Sequence, residues 1–463
     1  MTTSSKYSIF LLGLMAMVLV ACGGCKGTIL VPPDPPEEEE PQERVDPDPK
    51  YVKEPEDLIW YETPCFNVRV ANAEAEEARL PIMVRITTDT KQLVQEITDT
   101  LTVGGGKETN YVVTPTVDMA PGFYRAICFV KGKTVRNFNF GVKPFDIVSA
   151  PDMQADYTAY WQGVKDQLAA VDMGAVLTEI ESKSSATRKV YLVEMYSVPD
   201  GLSGEPVKIR GYYCEPTDGE KHPVLIHYYG YDTQGTKAKC ECPSGGSSKY
   251  AEFYLSHRGQ YLNNRPASTQ NPGITEDCVN IYGDWFAYQF GNKDSYYYRG
   301  AFMDAVQAVR FMATRETSDM TKLFAEGSSQ GGALCYAAAG LSDMPFTAIT
   351  ANVAFLGDFP DYFKIVDWPG STAKAEAKKA GMSDEEMYAF LSYYDTKNLA
   401  TRISCAVLAT SGLKDGTCPP HTNIAPYNII NNPQSEYHFY PEMTHDYPKN
   451  WFSMIEEFRK KFL

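Results

Sequence analysis

The sequence predicts an α/β protein, with a doubly wound, largely parallel sheet over residues 146–463 preceded by a small all-β domain over residues 58–145. Three observations carry this. From residue 156 onward, strand-like apolar runs alternate with runs of helical period, the pattern of βαβ units. One of them, Pro223-Val224-Leu225-Ile226-His227-Tyr228, is unbroken, as in a strand covered on both faces. Between residues 58 and 145, by contrast, short runs alternate at every second residue and are separated by glycine and proline turns.

Taken in order, residues 1–21 carry Lys6, an apolar run over residues 9–20 and then Leu19-Val20-Ala21-Cys22. The run is too short to span a bilayer comfortably and has the plan of a secretory signal peptide. Its last four residues resemble a bacterial lipobox, which implies that Cys22 becomes the lipidated first residue of the mature chain. The expectation is an exported lipoprotein of the bacterial cell envelope, anchored in the outer membrane and facing the periplasm or the cell surface.

Residues 22–57, with VPPDPPEEEEPQERVDPDP at their heart, form a Pro/Glu-rich linker that cannot build a core, because proline and like charges both oppose compaction. A stretch of about 30 such residues reaches about 90 Å at roughly 3.1 Å per residue. Residues 31–57 hold eleven Asp or Glu against Arg44, Lys50 and Lys53, so half of the formal charge of −16 lies there. The remainder is mildly acidic, and the absence of any basic concentration excludes nucleic acid as a partner.

Within residues 58–145 the alternating sets are Phe66/Val68/Val70, Ile82/Val84/Ile86, Tyr124/Ala126/Cys128/Val130 and the run 135–140, with turns at Gly104-Gly105-Gly106 and Pro121-Gly122. That spacing fits an immunoglobulin-like β-sandwich. No row of aromatics suggests glycan binding, so a spacer or packing role is expected. Of the eleven cysteines, Cys65 with Cys128, and Cys240 or Cys242 with Cys278, are the pairs to consider in an exported chain. Buried thiols are the expectation for most of them. The lone Cys-x-Cys lacks a second pair at zinc-site spacing, and neither a metal nor a cofactor is expected.

In the larger domain, residues 156–168 read as an amphipathic helix and residues 189–198 and 207–213 as strands. The run 223–228 ends in Tyr229-Gly230-Tyr231, a loop at a strand's carboxyl end, where open α/β sheets hold their ligands. Phe302, Ala305, Val306, Val309 and Met312 recur at helical spacing; residues 346–353, 405–410 and 437–440 are strand-like; and residues 451–462 close as an amphipathic helix.

Between them lies Gly327-Ser328-Ser329-Gln330-Gly331, a G-x-S-x-G turn flanked by the short apolar run Leu323-Phe324-Ala325 and by the alanine-rich, helix-prone stretch 330–339. Such a strand-to-helix elbow lifts a serine out at its apex, and the helix start behind it aims free N–H groups at a developing oxyanion. Ser329 is therefore the candidate nucleophile, and the sheet is of the α/β-hydrolase kind. In that fold the partners follow in the order serine, acid, histidine. Three of the six histidines follow Ser329. His438 alternates inside a strand and His421 opens a helix after Pro419-Pro420, whereas His445 lies in a loop after the last strand, free to reach back. Asp415 follows the strand 405–410 directly, a position that Asp358, Asp384 and Asp395 lack. It would accept from one imidazole nitrogen while the other takes the serine proton.

These residues also carry a family resemblance. Tyr296-Tyr297-Tyr298-Arg299-Gly300 with Asp304-Ala305-Val306, Arg258-Gly259-Gln260, the GSSQGG elbow, Phe355-Leu356-Gly357-Asp358-Phe359 and GLKDGTCPPHTNIAPYN from Gly412 to Asn428 resemble, in order and spacing, the acetyl xylan esterase and cephalosporin C deacetylase family, carbohydrate esterase family seven. The resemblance runs from about residue 150 onward. It implies a triad of Ser329, Asp415 and His445 and an oxyanion hole from the backbone N–H groups of Tyr231 and Gln330. It also implies removal of acetyl groups from xylo-oligosaccharides and similar small esters through an acetyl-serine intermediate. Arg258 and Gln260, which match the family's Arg-Gly-Gln, are expected to play a structural part near the site, since an arginine fork more often braces loops than does chemistry. The chain departs from the family at His445-Asp446, where His-Glu is common, at His421, where a small polar residue stands, and at Tyr228-Tyr229, where a histidine often precedes the glycine. The family's doughnut-like hexamer is the homo-oligomer implied, and a membrane tether on each subunit opposes it. Two other readings share these residues: a peptidase or longer-chain esterase on the same fold, and a surface lipoprotein that only binds glycan.

Overall fold

The computed structural model describes residues 51–244, 248–263 and 280–463, which belong to one unit spanning residues 48–463. The signal segment, Cys22, most of the linker and Cys278 lie outside the described residues.

The N-terminal part is built from β1 (Ile59–Trp60), β2 (Phe66–Ala71), β3 (Ala78–Thr88), β4 (Leu93–Val103), β5 (Glu108–Val113), β6 (Gly122–Val130) and β7 (Lys133–Val142). A five-stranded sheet of order β1-β7-β6-β3-β4 faces the two-stranded pair β2-β5, and only the β1-β7 pairing is parallel. The alternating residues meet in a shared core of Phe66, Val68, Val70, Ile82, Val84, Ile86, Ala126, Cys128, Phe138 and Phe140. Strand β4 has no comparable signature because its two faces are both largely open to solvent, so nothing selects an apolar side. Cys65 and Cys128 are free thiols, as are Cys240 and Cys242.

A linking stretch leads to α1 (Tyr157–Ala170), then β8 (Val176–Glu179), β9 (Arg188–Pro199), β10 (Pro206–Pro216), β11 (His222–Tyr228) and β12 (Ala251–Ser256). There follow α2 (Tyr297–Ala313), β13 (Ser318–Ser328), α3 (Gln330–Leu341), β14 (Ala348–Asn352), α4 (Phe359–Ile365), α5 (Gly370–Lys379), α6 (Asp384–Leu391), α7 (Thr396–Ala400), β15 (Ala406–Gly412), α8 (Pro420–Ile429), β16 (Glu436–Tyr440) and α9 (Trp451–Lys460). The nine strands form one sheet of order β16-β15-β14-β13-β11-β12-β10-β9-β8. It is parallel from β12 through β11 to β16, and β8, β9 and β10 join antiparallel at one side. The sheet is thus mixed, as meandering hairpins require no crossover helices.

Residues of the central strands alternate between two cores. Val224, Ile226, Leu323, Ala325, Ile349 and Ala351 pack beneath α1, α2 and α3, while Leu225, Phe324, Ala348 and Leu408 meet Trp451, Met454, Ile455 and Phe458 of α9 on the other face. This double burial is why the run 223–228 is apolar without a break. After β11 the chain goes to β12 on one side and to β13 on the other. The β11–β13 crevice is therefore the switch point at which sheets of this type take their ligands.

Candidate active site

The elbow stands at that crevice. β13 ends at Ser328 and α3 begins at Gln330, leaving Ser329 between them at φ 58° and ψ −123°, a backbone conformation that a serine holds only under strain from its surroundings. Two contacts make the flanking glycines obligatory. A Cβ on Gly327 would lie 2.3 Å from the Gly331 carbonyl carbon, and one on Gly331 would lie 2.3 Å from the Tyr228 carbonyl oxygen. The turn is pinned across the sheet: the Ser329 N–H donates to the Asn352 carbonyl at 2.9 Å, and the Phe355 N–H donates to the Ser329 carbonyl at 3.0 Å.

Three side chains distant in sequence converge here. His445 Nε2 lies 3.0 Å from Ser329 Oγ, and His445 Nδ1 lies 2.8 Å from Asp415 Oδ2. The other Asp415 oxygen accepts from the Thr417 and Cys418 N–H groups, both at 2.8 Å. Asp415 is buried, whereas Ser329 and His445 are half-buried, so the acid is sealed and the other two remain reachable. His438 instead sits in β16 beside Glu436, and His421 in the first turn of α8.

Tyr231, on the loop after β11, follows Gly230, whose α-carbon faces Ser329 so closely that a Cβ there would meet the serine Cβ at 3.7 Å. The Tyr231 ring packs edge-on against Trp285 and Trp368, with centroids 5.0 and 5.5 Å away, and its hydroxyl donates to Asp284 at 2.8 Å. Phe355 stacks on Trp368 at 5.2 Å. Aromatic rings therefore wall the space beside the elbow.

The side chain of Gln330 is locked from two sides. The Tyr298 hydroxyl donates to Oε1 at 2.9 Å, and Nε2 donates to His257 Nε2 at 3.0 Å. Burial holds His257 down to about 4, so its ring is neutral and can accept. Asn352 ties the elbow to the histidine loop, its amide donating to Ser328 Oγ at 2.7 Å and to the Asp446 carbonyl at 3.1 Å. The Cys418 thiol reaches the Ser329 side chain, and burial pushes its pKa well up, which keeps it from competing as a thiolate. Sequence reading missed His257, Asn352 and Cys418 as parts of this neighbourhood. The only signal was adjacency to Arg258-Gly259-Gln260 for the first and to Asp415 for the last.

Arg258 braces the structure as expected. Its Nε and Nη2 donate to the two oxygens of Asp304 on α2, both at 2.8 Å, in a pair with almost no solvent exposure. Gln260 donates to the Ala238 carbonyl on the loop after β11. Among the described residues, Asp358, Asp361 and His421 could bring ligand-type atoms within 4.8 Å of one another. Ion pairing accounts for them. Lys397 lies 2.9 Å from Asp358, and although burial opposes protonation of His421, the carboxylates of Asp358 and Asp361 raise it to about 9.

A serine at a strand-to-helix elbow, hydrogen-bonded to a histidine that is held in turn by a buried aspartate, at the switch point of a doubly wound sheet, defines the class: an α/β-hydrolase. The family follows from direct comparison. The family model described as "Acetyl xylan esterase (AXE1)" matches residues 147–462, and the chain belongs to that family. It is 25% identical over 327 residues to the acetyl esterase Axe7A of Xylanibacter ruminicola, covering 68% of this chain and 69% of that one. Among solved structures it resembles the acetyl xylan esterase from Paenibacillus sp. R4, with TM-score 0.55, 25% identity and coverage of 69% of this chain and 98% of the other. It also resembles acetyl xylan esterase 1 from Thermoanaerobacterium sp. JW/SL YS485, with TM-score 0.55, 23% identity and coverage of 69% and 97%. The family match begins at residue 147, after the N-terminal sandwich.

Proposed function

We propose that this esterase removes O-acetyl groups from xylo-oligosaccharides, with Ser329 as nucleophile, His445 as general base and then acid, and Asp415 as the group that orients and stabilises the imidazole. The observation that carries this is the chain of contacts Ser329 Oγ to His445 Nε2 at 3.0 Å and His445 Nδ1 to Asp415 Oδ2 at 2.8 Å. Ser329 Oγ attacks the acetyl carbonyl carbon as its proton passes to Nε2. The tetrahedral oxyanion is received by the N–H groups of Tyr231 and Gln330, one on the loop that Gly230 brings against Ser329 and the other at the head of α3. Its collapse expels the sugar hydroxyl, which takes the proton from His445. Water, deprotonated by the same imidazole, then discharges the acetyl-serine as acetate.

The aromatic wall of Tyr231, Phe355 and Trp368 suits a methyl group or the apolar face of a sugar ring. Acetate release from acetylated xylo-oligosaccharides, beside acetylated manno- and gluco-oligosaccharides and 4-nitrophenyl butyrate, tests the substrate. Release is expected to be fastest from the xylo-series; a preference for butyrate, or equal turnover by Ser329→Ala, would overturn it.

The same proposal places the enzyme in the cell envelope as an outer-membrane lipoprotein, on its periplasmic or surface face, held by acylated Cys22 and spaced by the acidic linker. The lipobox-like Leu19-Val20-Ala21-Cys22 supports this. Cys22→Ser is expected to move the protein from the membrane fraction to the soluble fraction. Wild type found wholly soluble would sink the anchor.

A further inference from the structure

The sandwich touches the hydrolase where the catalytic acid is mounted. Leu413, two residues before Asp415, is buried in one apolar cluster with Ile59 and Phe123 of the sandwich and with Ile147, Ile424 and Phe439. Its carbonyl accepts from the Asn139 side-chain amide of β7 at 2.6 Å. Phe123 of β6 packs on Phe439 of β16 with ring centroids 5.9 Å apart.

At the other end of the same segment, six residues after Asp415, stands His421. Asp89, on the turn between β3 and β4, lies within electrostatic reach of it and of Asp361. That turn is fastened to the first contact, since the Asp89 N–H donates to the Phe123 carbonyl at 3.0 Å. The segment 413–421 is therefore held by the sandwich at Leu413, with the Asp89 carboxylate within electrostatic reach of its far end. Other ties lead to the histidine loop and to the hydrolase's own helices: the Leu413 N–H donates to the Tyr440 carbonyl at 3.0 Å, the Lys414 N–H to the Met443 carbonyl at 3.1 Å, and the Tyr362 hydroxyl of α4 to the Thr417 carbonyl at 2.5 Å.

We infer that the N-terminal sandwich is a positioning element of the active site, which sets the place of Asp415, and through it the orientation of His445, by holding Leu413 from outside the hydrolase sheet. This rests on the catalytic reading of Asp415 and goes beyond it by assigning a task to the domain that lies outside the family match. A serine hydrolase depends steeply on this geometry, because a misplacement of about 1 Å costs on the order of 10²-fold. The domain therefore works as a built-in brace for catalysis, acting through Leu413.

The test is a double-mutant cycle between the brace and the acid in the full chain. Phe123→Ala removes a side chain that belongs to the interdomain cluster and not to the sandwich core, and Asn139→Leu removes the donor to Leu413 with little change of volume. With 4-nitrophenyl acetate, at a temperature where melting curves show each variant folded, Phe123→Ala is expected to lower kcat about 30-fold and Asn139→Leu about 5-fold, with KM within about twofold. In the Asp415→Asn background either change is expected to alter kcat by less than about twofold, because the acid it acts through is already lost. Folded variants with wild-type kcat, or losses that persist undiminished in the Asp415→Asn background, would overturn the inference while leaving the triad standing. Asp415→Asn with wild-type kcat would remove the catalytic reading first, and this inference with it.

Discussion

Ser329→Ala is expected to lower kcat on an acetyl ester by about 10⁶-fold, and Asp415→Asn by about 10⁴-fold, with KM little changed in both. The first removes the atom that becomes acylated. The second is the sharper test, because the geometry dictates how asparagine must sit. One carboxylate oxygen of Asp415 accepts from two backbone N–H groups, and only an oxygen can do that. The asparagine amide would therefore face His445 Nδ1 as a donor, forcing that nitrogen to be the acceptor and placing the ring proton on Nε2, toward Ser329. The base would then point a proton at the hydroxyl it must deprotonate. Steady-state kinetics on 4-nitrophenyl acetate, with phosphorylation of Ser329 by an organophosphate followed by mass spectrometry, measures turnover and the nucleophile's reactivity. Asp415→Asn turning over within tenfold of wild type would remove the acid from the mechanism.

Arg258→Met is expected to destabilise the hydrolase part by about 3–5 kcal/mol, read as a lowered urea midpoint, because it strands Asp304 as a lone charge. Both partners are essentially sealed from water, and the guanidinium also holds the Val198 carbonyl at 3.0 Å. Its berth depends on Gly300, where a Cβ would fall 2.0 Å from Arg258 Nη1. The double variant Arg258→Met/Asp304→Leu is expected to recover most of the loss, since the cost lies in the uncompensated carboxylate and not in the missing attraction. A single variant that loses less than about 1 kcal/mol would show that water reaches Asp304.

The parts of this molecule that were legible in sequence are those whose cause is local. The run 223–228 is apolar because both its faces are covered, and the G-x-S-x-G pentapeptide is demanded by two backbone approaches of 2.3 Å. Ser329, Asp415 and His445 could be singled out because each follows the carboxyl end of a strand, a position visible in chain order. Contacts across long separations left no such trace. Strand β12 begins Ala251-Glu252, and Glu252 is tolerable there because Arg188, in β9, and His227, in β11, meet it. Strand β13 runs over eleven residues, well beyond the apolar Leu323-Phe324-Ala325, because its polar first residues pair with His222 and Pro223. Asp358, set aside for its distance from a strand end, is occupied by Lys397, 39 residues away. His257 gains its partner 73 residues downstream, in the side chain of Gln330.

The strand that presents the nucleophile also carries Glu326, which faces α9. Burial works against the charge on this carboxylate, but His227 and Arg459 hold its pKa down to about 2. Arg459 is 133 residues further along the chain. On the ribosome, therefore, Glu326 has His227 beside it from the start but lacks its second partner until residue 459 has been synthesised. A polypeptide ending before α9 would carry all three candidate triad residues yet leave Glu326 without Arg459, and it is expected to unfold at lower urea than the full chain.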